Sequence, residues 1–314
     1  MTNQVPIILA NTPLYQPLAE LVQRQRIILF AGLPGVGKSL FLQQSALLAK
    51  RVGRTVHLLQ WDVTRAAFET STMLARYPEV NGITHAAIRK AVGLWTRAAI
   101  GHWHRDYADT QHLLIGEVPL IGNRLIELVQ LLDDAVEPLL ADAACTFVLP
   151  VPARHVRQAI EASRTRTTAN PQHAKEAGDA SPYVLQLLWA ELYRIAGQLG
   201  IPLDDTGQAG VPPYDPKIYA AVYQRLLRHR NVLELSVDRL LSKVGSVYDL
   251  PLPIHELMAT VAQVQETMAQ VETLYDPATL EHAVAQWYQV AGRAASVRYP
   301  ENEDFTPFPP PTDG

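Results

Sequence analysis

The sequence predicts an α/β fold, a five-stranded parallel sheet flanked by helices with a C-terminal helical hairpin after it. Five apolar runs of strand length, at 27–31, 55–60, 112–116, 146–150 and 231–236, are separated by helical or loop material. Continuous rather than alternating apolarity is expected of a parallel sheet covered on both faces. Right-handed crossovers then connect the strands. At 314 residues the chain can bury one large core, or one core with a helical appendage.

The first run, Ile27-Ile28-Leu29-Phe30-Ala31, leads straight into Gly32-Leu33-Pro34-Gly35-Val36-Gly37-Lys38-Ser39. A helical segment over 39–51 follows, with Leu40, Phe41, Ala46, Leu47 and Leu48 suited to pack on the sheet. A strand, a G-x-x-x-x-G-K-S loop and a helix in that order form a Walker A motif in its required context. Glycines let consecutive amides wrap a phosphate at the positive end of the helix. Nucleotide contacts are expected from Gly32 through Leu40, with Lys38 on the β- and γ-phosphates and Ser39 on Mg²⁺.

The second run ends at Asp62, on the ligand face of a doubly wound sheet. Its carboxylate can take a proton from a substrate hydroxyl, or it can cap a helix beginning near Val63. Arg65, three residues on, is placed to hold a substrate or product anion. The third run ends at Glu117, expected beside the Gly-rich loop as a carboxylate supporting Mg²⁺ through water; a surface carboxylate capping the next helix is the alternative. A competing acidic site at Asp133-Asp134 is set aside because Leu125, Leu128, Val129 and Leu132 repeat at helical spacing. Another, Asp204-Asp205-Thr206-Gly207, follows a proline-containing run that is a poor central strand. Arg124 either contacts substrate or pairs with Glu127 one turn away. His102-Trp103-His104 resembles part of a ligand pocket, although His-x-His alone is weak evidence for metal.

After the fourth run come Arg154, Arg157, Arg164 and Arg166, then a polar loop through Asn170-Pro171. A lid is expected at about 153–180, with Arg157 reaching the nucleotide and Arg164 and Arg166 stabilising charge on a transferring phosphate. A solvated helix face is the alternative for any one of these arginines. Ser181-Pro182, Asp215-Pro216 and Asp276-Pro277 each mark a helix start, a capping residue followed by proline at the first helical position. Amphipathic stretches at 253–274 and 277–295 predict a hairpin within 251–298, whose apolar faces pack on the main domain, 1–250, or on a partner. The acidic, Pro-rich tail, 299–314, reads as extended or disordered.

Composition narrows the function classes. A formal net charge of −4, with a pI near 6.2 and no long basic run, gives no footprint for nucleic acid. With six lysines against 21 arginines, arginine is expected to supply most phosphate contacts. Cys145 is the sole cysteine, so no intrachain disulfide or cysteine zinc site exists, and its apolar setting reads as a buried strand. No run approaches a membrane span, and the first residues lack a basic leader, so a cytoplasmic protein is expected.

Taken in order, Gly32–Ser39, Asp62, Glu117 and the 154–166 arginines resemble the P-loop kinases, and most closely the uridine kinase and pantothenate kinase group. The resemblance covers about residues 26–240. It implies a P-loop NTPase sheet in 2-3-1-4-5 order and Mg·ATP-dependent phosphoryl transfer to a small hydroxylated substrate. Zeta-toxin-like kinases also place an acid after the second strand. The competing expectation is a nonenzymatic or slow ATPase switch whose nucleotide state controls a protein partner through the C-terminal hairpin; a homo-oligomer or a protein partner is expected at that hairpin.

Overall fold

Six strands, all paired in parallel, form one sheet: β1 Ile27–Ala31, β2 Thr55–Gln60, β3 His112–Val118, β4 Cys145–Pro152, β5 Val232–Val237 and β6 His255–Glu256. Their spatial order is β5-β4-β1-β3-β2-β6. The computed structural model describes residues 7–80, 82–169, 173, 176, 180–203, 212–241 and 246–290, without the side chains of 165–169. The expected tail, the end of the hairpin stretch, the Asn170-Pro171 loop and the 204–207 acidic segment lie outside the described residues.

The expected count of five strands is corrected to six. His255 and Glu256 pair with His57 and Leu58 of β2, and the Leu257 amide donates to the Leu58 carbonyl at 2.8 Å. A two-residue strand has no periodicity to read, and it falls in a stretch that looked like the start of the hairpin. Stacking of the His255 ring on His57, with centroids 5.0 Å apart, fixes it at the edge.

Alternation of side chains divides the core into two layers. Ile27, Leu29, Ala31, Leu59, Leu114, Phe147 and Leu149 face one side of the sheet, while Ile28, Phe30, Val56, Leu58, Ile115 and Val148 face the other. The second side is covered by α1 Tyr15–Arg24 and α2 Lys38–Arg51. The first is covered by α5 Ala86–Asp106, α8 Pro182–Gln198 and α9 Pro216–Leu226. Between them along the chain lie α3 Trp61–Phe68, α4 Ser71–Arg76, α6 Glu137–Ala141 and α7 Arg154–Ala169. Continuous apolarity in β1 and β4 reflects burial on both faces, whereas β5, at the sheet edge, is exposed at Val232, Glu234 and Ser236.

The proline-marked starts are where helices begin. Ser181 accepts from the Val184 amide, Asp215 from Lys217 and Ile218, and Asp276 from Thr279. The hairpin consists of α10 Val261–Leu274 and α11 Pro277–Ala285. Val264, Met268, Val271, Leu280 and Val284 join the same core as α5. Its apolar face is thus used within the chain. Among the described residues, no helix is long and apolar enough to cross a membrane.

The helical reading around Leu125–Leu132 is overturned. Leu125, Leu128, Val129 and Leu132 are all buried, but only a single 3₁₀ turn, Ile126–Leu128, forms. Leu120, Asn123 and Leu125 adopt positive φ, near 60°, so the segment after β3 is an irregular buried loop. Its carbonyls are satisfied from outside. Tyr223 donates to Pro119 at 2.8 Å, Arg89 to Gly122 at 2.6 Å, Arg97 to Glu127 at 2.7 Å, and Arg230 to Leu128 and Gln130 at 2.9 and 3.0 Å. Asp134 belongs to this scaffold, bonding Arg97 through both oxygens at 2.6 and 2.8 Å. Glu137 bridges Arg97 and Arg230, and their guanidinium hydrogen bonds hold its carboxyl below the usual range against the opposing effect of burial.

Glu127 shows how tightly α5 and this loop fit. It is fully buried and pairs with Lys90 at 2.8 Å. A Cβ on Gly93 would collide with the Glu127 carboxylate. Helix propensity alone makes Gly93→Ala stabilising by about 1 kcal/mol. Displacement of the buried pair reverses the sign, and a loss of roughly 3–5 kcal/mol is expected. Urea unfolding of the variant should show a lower midpoint, and a higher one would refute the packing argument.

Candidate active-site cleft

The carboxyl ends of β1, β2, β3 and β5 open on one cleft of about 570 Å³. Pro34–Phe41 form its floor, with Asp62, Arg65, Glu117, Arg124 and Arg164 around it. The sequence-predicted residues from three separate strand tips therefore meet.

Two glycines shape the loop. Gly32 has φ +143° and packs so closely on the Tyr219 hydroxyl that a Cβ would collide with it. Gly37, at φ +92°, turns the chain into α2 and supplies no side-chain cap. The N–H groups of the first helical turn have no intrahelical acceptor, and they carry the positive end of the helix dipole toward the cleft. This end of α2 is suited to an anion. Leu33 lies beneath the loop, fully buried.

Lys38 is buried; its ammonium donates to the Leu33 carbonyl at 3.0 Å and lies 3.5 Å from Glu117 Oε1. Burial pulls its pKa down; Glu117 opposes that and Arg164 adds to it. Ser39 Oγ donates to Glu117 Oε2 at 2.9 Å. Glu117 thus faces both residues, and the helix-capping alternative falls. β3 places it there, since Glu117 is in register with Phe30 of β1 and Gln60 of β2.

The Ser39–Glu117 pair fits Mg²⁺. The Ser39 hydroxyl could ligate the ion directly, and the Glu117 carboxylate hydrogen-bonded to it is placed to hold a Mg²⁺-bound water. Mg²⁺ needs only one or two such protein oxygens when phosphates and waters complete its shell. Among the described residues, no group of three His, Cys, Asp or Glu side chains is arranged to hold a metal by itself.

Asp62 lies in the first turn of α3, while Gln60 occupies the N-cap position, so the capping alternative is not realised. Its side chain is 77 % exposed to the cleft and 3.5 Å from Arg65. Crowding by the cleft walls raises its pKa, Arg65 lowers it, and Glu117 raises it again. Arg65 also pairs with Glu69 at 3.1 Å. Arg124 lines the same side, and the pairing with Glu127 does not form because Glu127 is held by Lys90.

The arginines of α7 separate by role. Arg164 lines the cleft and donates to the Ala180 carbonyl at 3.4 Å. Arg157 does not cover the site; it is buried beneath the loop, with Nη1 on the Pro34 carbonyl at 2.6 Å, Nε on Glu161 at 2.7 Å and its guanidinium over Tyr214. Arg154 turns to the Tyr214 carbonyl and Asp215. Arg166 is on the same helix, and its side chain lies outside the described residues. His102-Trp103-His104 sits at the opposite end of the strands. There Trp103 packs with His57 and Tyr107, while Tyr107 packs on His112, the first residue of β3.

Sequence reasoning missed one wall. Val237 at the end of β5, Arg239, Leu240, Leu241 and Tyr248 after it, and Val184 and Leu188 on α8 line the cleft. The signal available was their position after the tip of a parallel strand. Comparison with protein-family models, with curated proteins and with solved structures finds no match to this chain.

Arg157 holds the loop in place rather than contacting solvent. Arg157→Ala should lower stability by about 1.5–3 kcal/mol, the range for a hydrogen bond to a charged group. Arg157→Lys should recover only part of this, because one ammonium cannot replace the forked contacts to Pro34 and Glu161. Thermal unfolding of the three proteins tests it; full recovery by lysine would exclude the fork.

Proposed function

We propose that the chain is a Mg·ATP-dependent phosphotransferase acting on a small hydroxylated acceptor. The observation that carries this is the convergence of Lys38, Ser39 and Glu117 at the N-terminus of α2, facing Asp62 across one cleft. The run β2-β3-β1-β4-β5 within the sheet supports the P-loop kinase resemblance, with β6 added at the β2 edge. Loop amides and Lys38 bind the β- and γ-phosphates, and Ser39 and Glu117 hold Mg²⁺, which neutralises phosphate charge when bound. Arg164 stabilises the transferring group from the α7 side, with Arg166 assigned to the same task on sequence grounds. Leu240, Leu241 and Tyr248 offer an apolar and aromatic wall for the base. Catalysis rests mainly on positioning and electrostatics.

Asp62 is the base in this reading, and Arg65 and Arg124 are the acceptor contacts. The elevated pKa of Asp62 favours proton acceptance from a hydroxyl more than an ordinary carboxylate does. The switch alternative needs a free surface on the hairpin. Val264, Met268, Val271, Leu280 and Val284 are buried in the shared core, so a partner would have to meet the outer face, where Val261 and Leu274 are exposed.

The test incubates the protein with Mg·ATP and a fractionated metabolite pool and follows phosphorylated products by mass. Lys38→Ala should abolish nucleotide binding. Asp62→Asn should lower transfer by about 10²–10⁴-fold, the usual contribution of a general base. Hydrolysis that needs no acceptor and survives Asp62→Asn would sink the phosphotransferase reading.

The pH profile gives a separate check. A base works only when ionised, so transfer should fall as pH drops through the Asp62 pKa. Because that pKa is raised, the acidic limb should be displaced toward higher pH than an unperturbed aspartate gives and vanish in Asp62→Asn. An unchanged limb in the variant would assign it to another group.

A further inference from the structure

Arg124 is a partly buried cation without an ion-pair partner among the described residues. Its Nη1 donates to the Ile121 carbonyl at 3.0 Å, and the guanidinium lines the cleft. Arg65, nearby, is occupied by Asp62 and Glu69. Behind Arg124 stands Arg89 of α5, which donates to the Gly122 carbonyl at 2.6 Å and also forms no ion pair among the described residues. Nη1 of Arg124 and Nη1 of Arg89 lie 3.0 and 3.7 Å from the position a Cβ of Gly122 would take, so two like charges crowd one point. Glu191 acts on both and Glu281 on Arg89, but neither closes to an ion pair within 4 Å. Asp62 and Arg65 act on Arg124 from the cleft side.

Desolvating a guanidinium is costly unless an anion compensates, and its planar fork matches a carboxylate or phosphate. We infer that Arg124, backed by Arg89, forms an anion subsite, and that the acceptor is a hydroxylated carboxylate or phosphate ester seated there. The acceptor assignment rests on the phosphotransferase reading; the anion subsite does not. With the acidic group on Arg124 and the carbon skeleton along Val184 and Leu188, the acceptor hydroxyl faces Asp62. Its oxygen bonds to the γ-phosphorus as the bond to the β-phosphate oxygen breaks. The hydroxyl proton passes to Asp62, and ADP leaves with the electron pair.

Two measurements test this. With the loop filled by Mg²⁺ and a non-hydrolysable ATP analogue, sulfate is titrated at constant ionic strength and followed by calorimetry. One site is expected, weakened at least about tenfold in Arg124→Gln and substantially restored in Arg124→Lys, with thermal unfolding showing that each variant is folded. Arg105→Gln, on the exposed end of α5, should leave sulfate binding unchanged. Absence of sulfate binding, or no effect of Arg124→Gln, would overturn the subsite.

The second measurement offers Mg·ATP with matched acceptors: hydroxy acids against their amides, and phosphomonoester alcohols against the neutral alcohols. Transfer confined to the acids or to the phosphomonoesters supports the inference and identifies which anion is used. Equal transfer to neutral members overturns the acceptor class. Sulfate binding through Arg124 with transfer to none of them leaves the anion subsite standing and removes the phosphotransferase reading instead.

Discussion

The pairing of β3 beside β1 is the constraint on which the cleft depends. Glu117 is 78 residues from Ser39, and only the parallel register, with Phe30 opposite Glu117, brings them to hydrogen-bond distance. Gly116 permits that register. A Cβ there would press on the Leu29 side chain and approach Leu59, so the strand tip lies close only because position 116 has no side chain. The buried ammonium of Lys38 depends on the same alignment. Without Glu117 at 3.5 Å, its desolvation would be offset by the Leu33 carbonyl alone.

Beyond the tip of β3 the chain runs buried with only one 3₁₀ turn to satisfy its backbone. Arginines supply what secondary structure does not. Arg89, Arg97 and Arg230 reach carbonyls of the loop, while Asp134 and Glu137 balance the charge of Arg97 and Arg230. Arg89 has no ion pair among the described residues, only the more distant Glu191 and Glu281, and its neighbour Arg124 faces the cleft. The scaffold that holds the buried loop therefore also presents a cation at the site.

Those two regions explain what was legible in the sequence. Lys38 and Ser39 could be read because their motif is local, and Glu117 because it ends a short apolar run. The 125–132 segment could not, since burial at helical spacing arises equally in an irregular loop whose apolar residues all face inward. Only the distant arginines distinguish the two. Arg157 misled for a related reason. Helical spacing put it among lid arginines, whereas burial against Pro34 depends on how α7 crosses the loop. α5 gave little amphipathic signal because its packing against α3, the loop and the hairpin leaves few exposed positions. The wall after β5 had a topological signal but no distinctive residue pattern.

The distribution of polarity across the cleft bears on why an acceptor rather than water would receive a phosphate in the proposed reaction. Val184, Leu188, Leu240 and Leu241 put apolar surface around the charged groups of Lys38, Asp62, Glu117, Arg124 and Arg164. Lower local dielectric strengthens every interaction among those charges, and a bound acceptor strengthens it further by displacing water. Asp62 is open to that change, because its side chain is largely accessible in the unfilled cleft. Filling the space in front of it would strip solvent from the carboxylate at the moment a hydroxyl arrives. An acceptor anchored at Arg124 would make proton acceptance by Asp62 conditional on its own presence, and so couple binding to chemistry without a separate closing element.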